Sequence, residues 1–554
     1  MAADPDTTAA VPPDRRDPEA PVRTGPGTLA GTPWTRWDLL VGGLVAVASV
    51  ALTFVFRQEV IPTDPWHYVM AAIDFPQKTW VPLGYTRYGM ILPVIPLAKV
   101  FGTSQVTFLF WPYVGAGLLA GTLYLIGRRW WGPVGGAVAV VATLSNWVVF
   151  VNLPRYYPDL ISTAYVLAAV VLALEVRGRQ GAGRGRVLPL LLLGGFLLGW
   201  SFESRETAIF GWAVVAVILW VPGRRLRNAL WTALPVLAWG AVDVTISAVA
   251  YGDPLLKLHT FTRQNLATSS IAGDVAVLPE FVGRPRLDYL LMIPKEMLGH
   301  GPASSTAAVP GGVWFLGLAV VALLGVVLKD AAARLSAFGL AVTYVFFVGI
   351  GGFFLPSHPA GRLDIVRYWI PFVPWMGLGV AGVVVGLSRL LGRLLARRSV
   401  RPAVATGLAV VLGVAAVAGP VVALAREIPR TSALAPNGGM ALSEVRTYLA
   451  AHDTPGATVW SDFYTVRLLP IYKRGPFGGA REWTMPTRSI TGKDVVLRPG
   501  DYVVWTDAHN PSCGFCGVVM AQYAAAHPGP PASWTPVLTT TDGGLTLYRV
   551  GSTS

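Results

Sequence analysis

Residues 57–104 read RQEVIPTDPWHYVMAAIDFPQKTWVPLGYTRYGMILPVIPLAKVFGTS. They follow the first long apolar run of the chain, and they are too long and too amphipathic to be a plain connector. The pieces DPWHYVMAAID (64–74) and YGMILPVIPLAKVFG (88–102) predict two short helices lying at a membrane interface. Asp64 opens the first, where the partial positive charge of a helix N-terminus favours a carboxylate. Asp followed by Pro also suits a helix cap. A cap is therefore the plain reading of Asp64.

Around this loop the chain is apolar. Of 554 residues, 53% are hydrophobic and 13% charged, which is the composition of a polytopic membrane protein. Stretches of bilayer-crossing length, roughly 17–25 residues, fall at 38–56, 105–127, 133–151, 159–175, 187–202, 207–221, 229–250, 311–328, 335–355, 369–388 and 402–424. The expectation is an α-helical membrane protein of about 11 transmembrane helices, counted at this crossing length.

The formal charge of +14 reads by loop. Segments 128–132, 176–187, 222–228, 329–334 and 389–401 carry 16 Lys or Arg and one acid, Asp330, and all fall on one side. The positive-inside rule makes that side cytoplasmic. The basic excess is a topology signal, and it implies no nucleic-acid partner. Loops 57–104, 152–158, 203–206, 251–310 and 356–368 then share the outer face. The expected address is the cytoplasmic membrane, with the N-terminus inside and the C-terminus outside.

Residues 1–37 are expected to be a disordered cytoplasmic tail rich in Pro, Ala, Asp and Arg, and 38–424 the membrane domain. Beyond it, EVRTYLAAHDTPGATVWSD, DYVVWTD and LTLYRV predict a helix and strands. Residues 425–554 thus form an extracytoplasmic soluble α/β domain. Cys513 and Cys516 make a single C-x-x-C. On the outer side the pair reads as a local disulfide; with His509 as a third ligand, zinc is the minority reading.

The first outer loop resembles that of the GT-C superfamily, membrane glycosyltransferases that use polyprenyl-phosphate sugars. This superfamily includes protein O-mannosyltransferases and lipid A aminoarabinose transferases. The match runs through Asp64, Tyr68, Ala72, Trp80, Pro82, Arg87, Pro93 and Phe101-Gly102. LPRYYPD (153–159), ESRET (203–207) and RYWIPFVPWMGLGVAG (367–382) also fit the pattern, so the likeness covers roughly 38–390. Pro65 stands where O-mannosyltransferases have Glu, and YTRYGMILP (85–93) replaces the Lys-Pro-Pro of the aminoarabinose branch. Neither of those two activities is therefore assigned.

The resemblance implies an inverting transfer in which an acceptor hydroxyl attacks the anomeric carbon and a polyprenyl phosphate leaves. Asp64 is the implied general base; one carboxylate suffices because phosphate leaves without a strong proton donor. Arg87, Arg155, Arg205 and Arg367 suit the donor phosphate, since guanidinium binds its oxygens in parallel pairs. Snorkelling and pairing with nearby acids compete with that role. His67, Tyr68, Tyr88, Arg362 and Tyr368 are candidate substrate contacts. Asp159 beside Asp64 would suit a divalent cation (Mg²⁺, Mn²⁺ or Ca²⁺), against the alternative of a helix cap. The implied partners are the bilayer, the lipid-phosphate sugar donor and a glycan, lipid or protein acceptor of the cell envelope. Two rivals remain: a transporter or flippase of envelope precursors, with charges at mid-membrane like Asp243, and a non-catalytic scaffold with 425–554 as its binding module.

Overall fold

A computed structural model describes residues 28–58, 60, 64–76, 86–179, 184–221, 224–260, 282–300, 309–357, 359, 363, 365–396, 402–428, 441–463, 465–475, 478–490, 495–506 and 530–552. Cys513, Cys516, His509, Arg362, Trp80 and Pro82 lie outside them, as do residues 1–27. Residues 28–35, expected to belong to the tail, pack on the helix ends. Thr32 N–H donates to the Arg129 carbonyl at 2.8 Å, and Arg129 Nε to the Ala30 carbonyl at 2.7 Å. A Thr35–Asp38 capping box then starts the first helix, Arg36–Val55.

Eight helices are long and apolar enough to cross a membrane, counted among the described residues. The expected eleven differ for two reasons. Segments 105–127 and 133–151 are counted as one span, Gln105–Leu144, although they are two helices joined at Gly132. Segments 207–221 and 311–328 form the shorter apolar helices Glu206–Leu219 and Gly312–Val327. At the break, Gly132 has φ 85° and ψ −177°, a conformation that requires glycine. The two halves then turn back on each other so closely that a Cβ on Gly136 would lie 2.8 Å from the Tyr124 carbonyl.

Burial ranks the helices. Pro158–Gly178 and Val366–Leu394 are the most enclosed, each 83% buried over its most apolar window, whereas Arg225–Tyr251 is 6% buried. Side chains rooted on the first two are held by packing on nearly every side, which favours a fixed geometry. The first loop forms short helices at Asp64–Ile73, Tyr88–Ile91 and Val94–Phe101, the second expected helix being divided in two.

The C-terminal region adds helices Ala441–Ala451 and Thr465–Tyr472 and a five-stranded sheet. Its strands are β1 (Val459–Ser461), β4 (Thr487–Ser489), β5 (Tyr502–Thr506), β6 (Trp534–Thr539) and β7 (Leu545–Val550), after a two-stranded ribbon of β2 (Arg474–Gly475) and β3 (Gly478–Arg481). The order is β4-β1-β5-β7-β6, parallel across β4, β1 and β5 and antiparallel beyond. The sheet domain does not stand apart. One apolar cluster joins Tyr68, Val69, Met90 and Ile91 of the first loop to Leu442, Val445, Leu468 and Tyr472.

Candidate active site

Gly89 sets the approach of the first loop to the barrel. A Cβ there would fall 2.4 Å from Ser204 Oγ and 2.6 Å from Ser204 N, so only glycine lets Tyr88–Ile91 lie on the end of helix Arg184–Ser204. That contact brings Arg87 to Glu206. Arg87 Nη2 and Nε face the two Glu206 oxygens at 3.3 and 3.4 Å, and Nη1 donates to the Tyr68 hydroxyl at 2.5 Å.

The helix Asp64–Ile73 packs beside it, and Arg367 comes from the entry of the buried helix Val366–Leu394. Arg367 Nη2 donates to Asp64 Oδ2 at 2.6 Å, and its guanidinium lies over the rings of Tyr157 and Tyr368 at 4.2 and 5.2 Å. Arg205 Nε sits 3.2 Å from Asp159 Oδ1, with its guanidinium 4.3 Å above Tyr368. Arg155 is placed differently. It meets the side-chain amide of Gln58, where Nε donates to Oε1 at 2.9 Å, and no carboxylate pairs with it among the described residues.

The structure thus brings Asp64, Asp159, Tyr68, Tyr368 and all four expected arginines to one end of the helices. Burial pushes the Asp64 carboxyl up, but the guanidiniums of Arg367, Arg87 and Arg205 more than offset this and hold it below the usual carboxylate range. Asp64 is therefore an anion at neutral pH, and its side chain is 37% exposed, open to an incoming group. Around it several buried polar atoms make no hydrogen bond: both Asp159 oxygens, Arg205 Nε and Arg367 Nε. Asp159 and Arg205 meet as an ion pair rather than through a hydrogen bond, which leaves hydrogen-bonding capacity open on both.

Tyr88 falls elsewhere. Its hydroxyl meets Ser247 Oγ at 3.0 Å, next to a cluster in which Lys257 Nζ lies 2.5 Å from Glu203 and 3.0 Å from Asp243. Asp243, the charge the transporter reading rests on, is thus part of a paired cluster with Lys257 and Glu203. His67 lies against Trp66, ring centroids 5.2 Å apart.

No family model matches the sequence, and no curated protein matches it. Solved structures do. ArnT from Cupriavidus metallidurans bound to undecaprenyl phosphate is similar with TM-score 0.51 and 14% identity, over 94% of this chain and 100% of that one. The same protein in the apo state gives TM-score 0.51 and 14% identity, over 93% and 99%. The chain has the GT-C fold. An oligosaccharyltransferase from Archaeoglobus fulgidus, in complex with Zn and sulfate, is also similar, with TM-score 0.44 and 12% identity over 93% of this chain and 73% of that one.

Within the GT-C fold of this chain, the cation expected at Asp64 and Asp159 meets an unsuitable donor set. Each carboxylate already faces a guanidinium, at 2.6 and 3.2 Å. Among the described residues no three His, Cys, Asp or Glu side chains come together to hold a metal. A dication there would also stand against the surrounding arginines. The residues present do not fit it.

Sequence reasoning missed three contributors. Gln58 and Tyr157 lie inside quoted stretches, the first loop and LPRYYPD, where neither was singled out. Arg467 lies about 400 residues beyond the loop it touches, with its guanidinium 4.8 Å from the Trp66 ring. No local pattern marks it.

Proposed function

We propose that the protein is an inverting glycosyltransferase that moves a sugar from a polyprenyl-phosphate donor to a hydroxyl acceptor of the cell envelope. The observation that carries this reading is the charge arrangement around Asp64. Arg367, Arg205 and Arg87 each face an acid, namely Asp64, Asp159 and Glu206. Arg155 donates to the Gln58 amide oxygen and, among the described residues, pairs with no carboxylate. It lies near Arg367, and this uncompensated guanidinium is the place we assign to a phosphate. The likeness to ArnT carrying undecaprenyl phosphate supports a lipid-phosphate donor.

In the reaction, the acceptor oxygen bonds to the anomeric carbon from the face opposite the phosphate. The bond between that carbon and the phosphate oxygen breaks, and its electron pair leaves on the phosphate, which Arg155 and the free edge of Arg367 stabilise. The acceptor proton passes to Asp64. Because Arg367 keeps that carboxylate weakly basic, proton removal comes late, after the leaving bond has lengthened. One displacement inverts the anomeric centre. Loop charge supports an outward-facing centre in the cytoplasmic membrane, with the C-terminal domain on the same outer face.

The test is incubation of the purified protein with radiolabelled polyprenyl-phosphate sugars, hexosyl and pentosyl, and envelope acceptors. Label moving to the acceptor, with Asp64→Asn inert, is the expected result. Donor lipid crossing liposomes without transfer would establish the flippase reading instead.

A further inference from the structure

We infer that Arg467, on a helix of the C-terminal domain, is a positioning residue for the Asp64 centre, acting through Trp66 and His67. This rests on the transferase reading for its kinetic test alone. Helix Thr465–Tyr472 touches the chain on both sides of Asp64. Before it, Val60 N–H donates to the Tyr472 hydroxyl at 3.4 Å. After it, the Arg467 guanidinium lies 4.8 Å from the Trp66 ring and 4.0 Å from Phe463. Arginine stacks its planar face on aromatic rings while keeping its charge. Held between two rings, it fixes the orientation of the Trp66 indole, two residues from Asp64.

The indole in turn backs His67, edge to face at 78° and 5.2 Å. Among the described residues, two charged groups face the imidazole: Asp64 from its own helix and Arg467 from the C-terminal helix. Burial pushes His67 below its ordinary value, Asp64 opposes this and Arg467 adds to it, so His67 stays neutral at pH 7. Arg467 thus reinforces burial in keeping a second positive charge away from Asp64. The apolar cluster linking Tyr68 and Val69 to Leu468 and Tyr472 holds the two helices together while it does so.

Arg467→Met removes the charge and keeps the length; Arg467→Lys restores the charge. Both are made in the full chain, purified in detergent and checked for native melting. In a histidine NMR titration, with the His67 signal assigned by His67→Gln, the Met variant is expected to titrate His67 at higher pH than the native protein, and the Lys variant near it. In transfer assays kcat falls about tenfold to a hundredfold in the Met variant, as for a misplaced catalytic group, with donor KM unchanged and partial rescue by Lys. A folded Met variant with native kcat and a native His67 titration overturns the inference. Should that variant not fold, Trp66→Leu removes the indole and leaves the Arg467 charge, and native kcat there overturns it equally. If the native protein transfers no sugar, the transferase reading fails, and the His67 titration still decides the role of Arg467.

Discussion

Arg367 Nη2 lies 2.6 Å from Asp64 Oδ2, across 303 residues of chain. The pair closes the first loop onto one of the two most enclosed helices of the membrane domain. It also decides how basic the candidate base is, because the same guanidinium that locates Asp64 lowers its proton affinity.

That coupling predicts a pH profile. The folded carboxyl lies below its unfolded value of about 3.9, so the ionised pair contributes fully above pH 4 or so and is lost as pH falls through the depressed folded value. Native activity should therefore show no acid limb from Asp64 between about pH 5 and 8. Arg367→Gln leaves burial opposed by Arg87 and Arg205 alone, and the acid limb should move upward. Asp64→Asn should cost about a hundredfold to ten-thousandfold in kcat with melting little changed. A pH–rate series on the three proteins checks both statements.

Arg155→Gln tests the phosphate seat. No carboxylate is abandoned by this change, so the protein should melt as the native form does. Donor affinity should weaken by about tenfold to a hundredfold, the worth of a charge-assisted bond of about 1.5–3 kcal/mol. Donor titration at fixed acceptor reads it out, and unchanged donor dependence would move the seat to Arg367.

Arg205→Gln has the opposite signature. Asp159 is 1% exposed and would be left as a buried anion without its counter-charge. Breaking such a pair costs about 3–5 kcal/mol, visible as a large drop in melting temperature. The double change with Asp159→Asn should recover most of it, because the uncompensated charge is then gone.

Gly89→Ala probes the seating of the first loop. The new Cβ would meet Ser204 Oγ and backbone at 2.4–2.6 Å. Overpacking of this kind costs about 1–3 kcal/mol, and it should displace Arg87 from Glu206. Lower melting temperature and lower kcat together are expected. Ser204→Gly in the same chain relieves the Oγ contact alone, so the backbone part of the defect should persist.

The reading of the sequence worked where one dominant interaction governs. Apolar length and loop charge separate helices from loops, and the period of DPWHYVMAAID already contains its helix. The strands DYVVWTD and LTLYRV declare themselves by β-branched and aromatic residues. It failed where two segments compete for one residue. Segments 207–221 and 311–328 read as full spans but form shorter helices. Asp64 reads locally as a cap; only Arg367, far along the chain, shows what its carboxylate faces. That Arg155 lacks an acid is equally invisible, because it depends on where Glu206 and Asp159 spend theirs.

The contact between helix Thr465–Tyr472 and the flanks of Asp64 has a bearing on how the protein is made. Asp64 leaves the ribosome early, Arg367 much later, and Arg467 and Tyr472 near the end. Synthesis runs in that order, so the grip of Tyr472 on Val60 and of Arg467 on Trp66 is the last contact of this centre to form. On the function proposed above, a chain cut short after helix Pro402–Glu427 would carry Asp64 and Arg367 and still lack that grip.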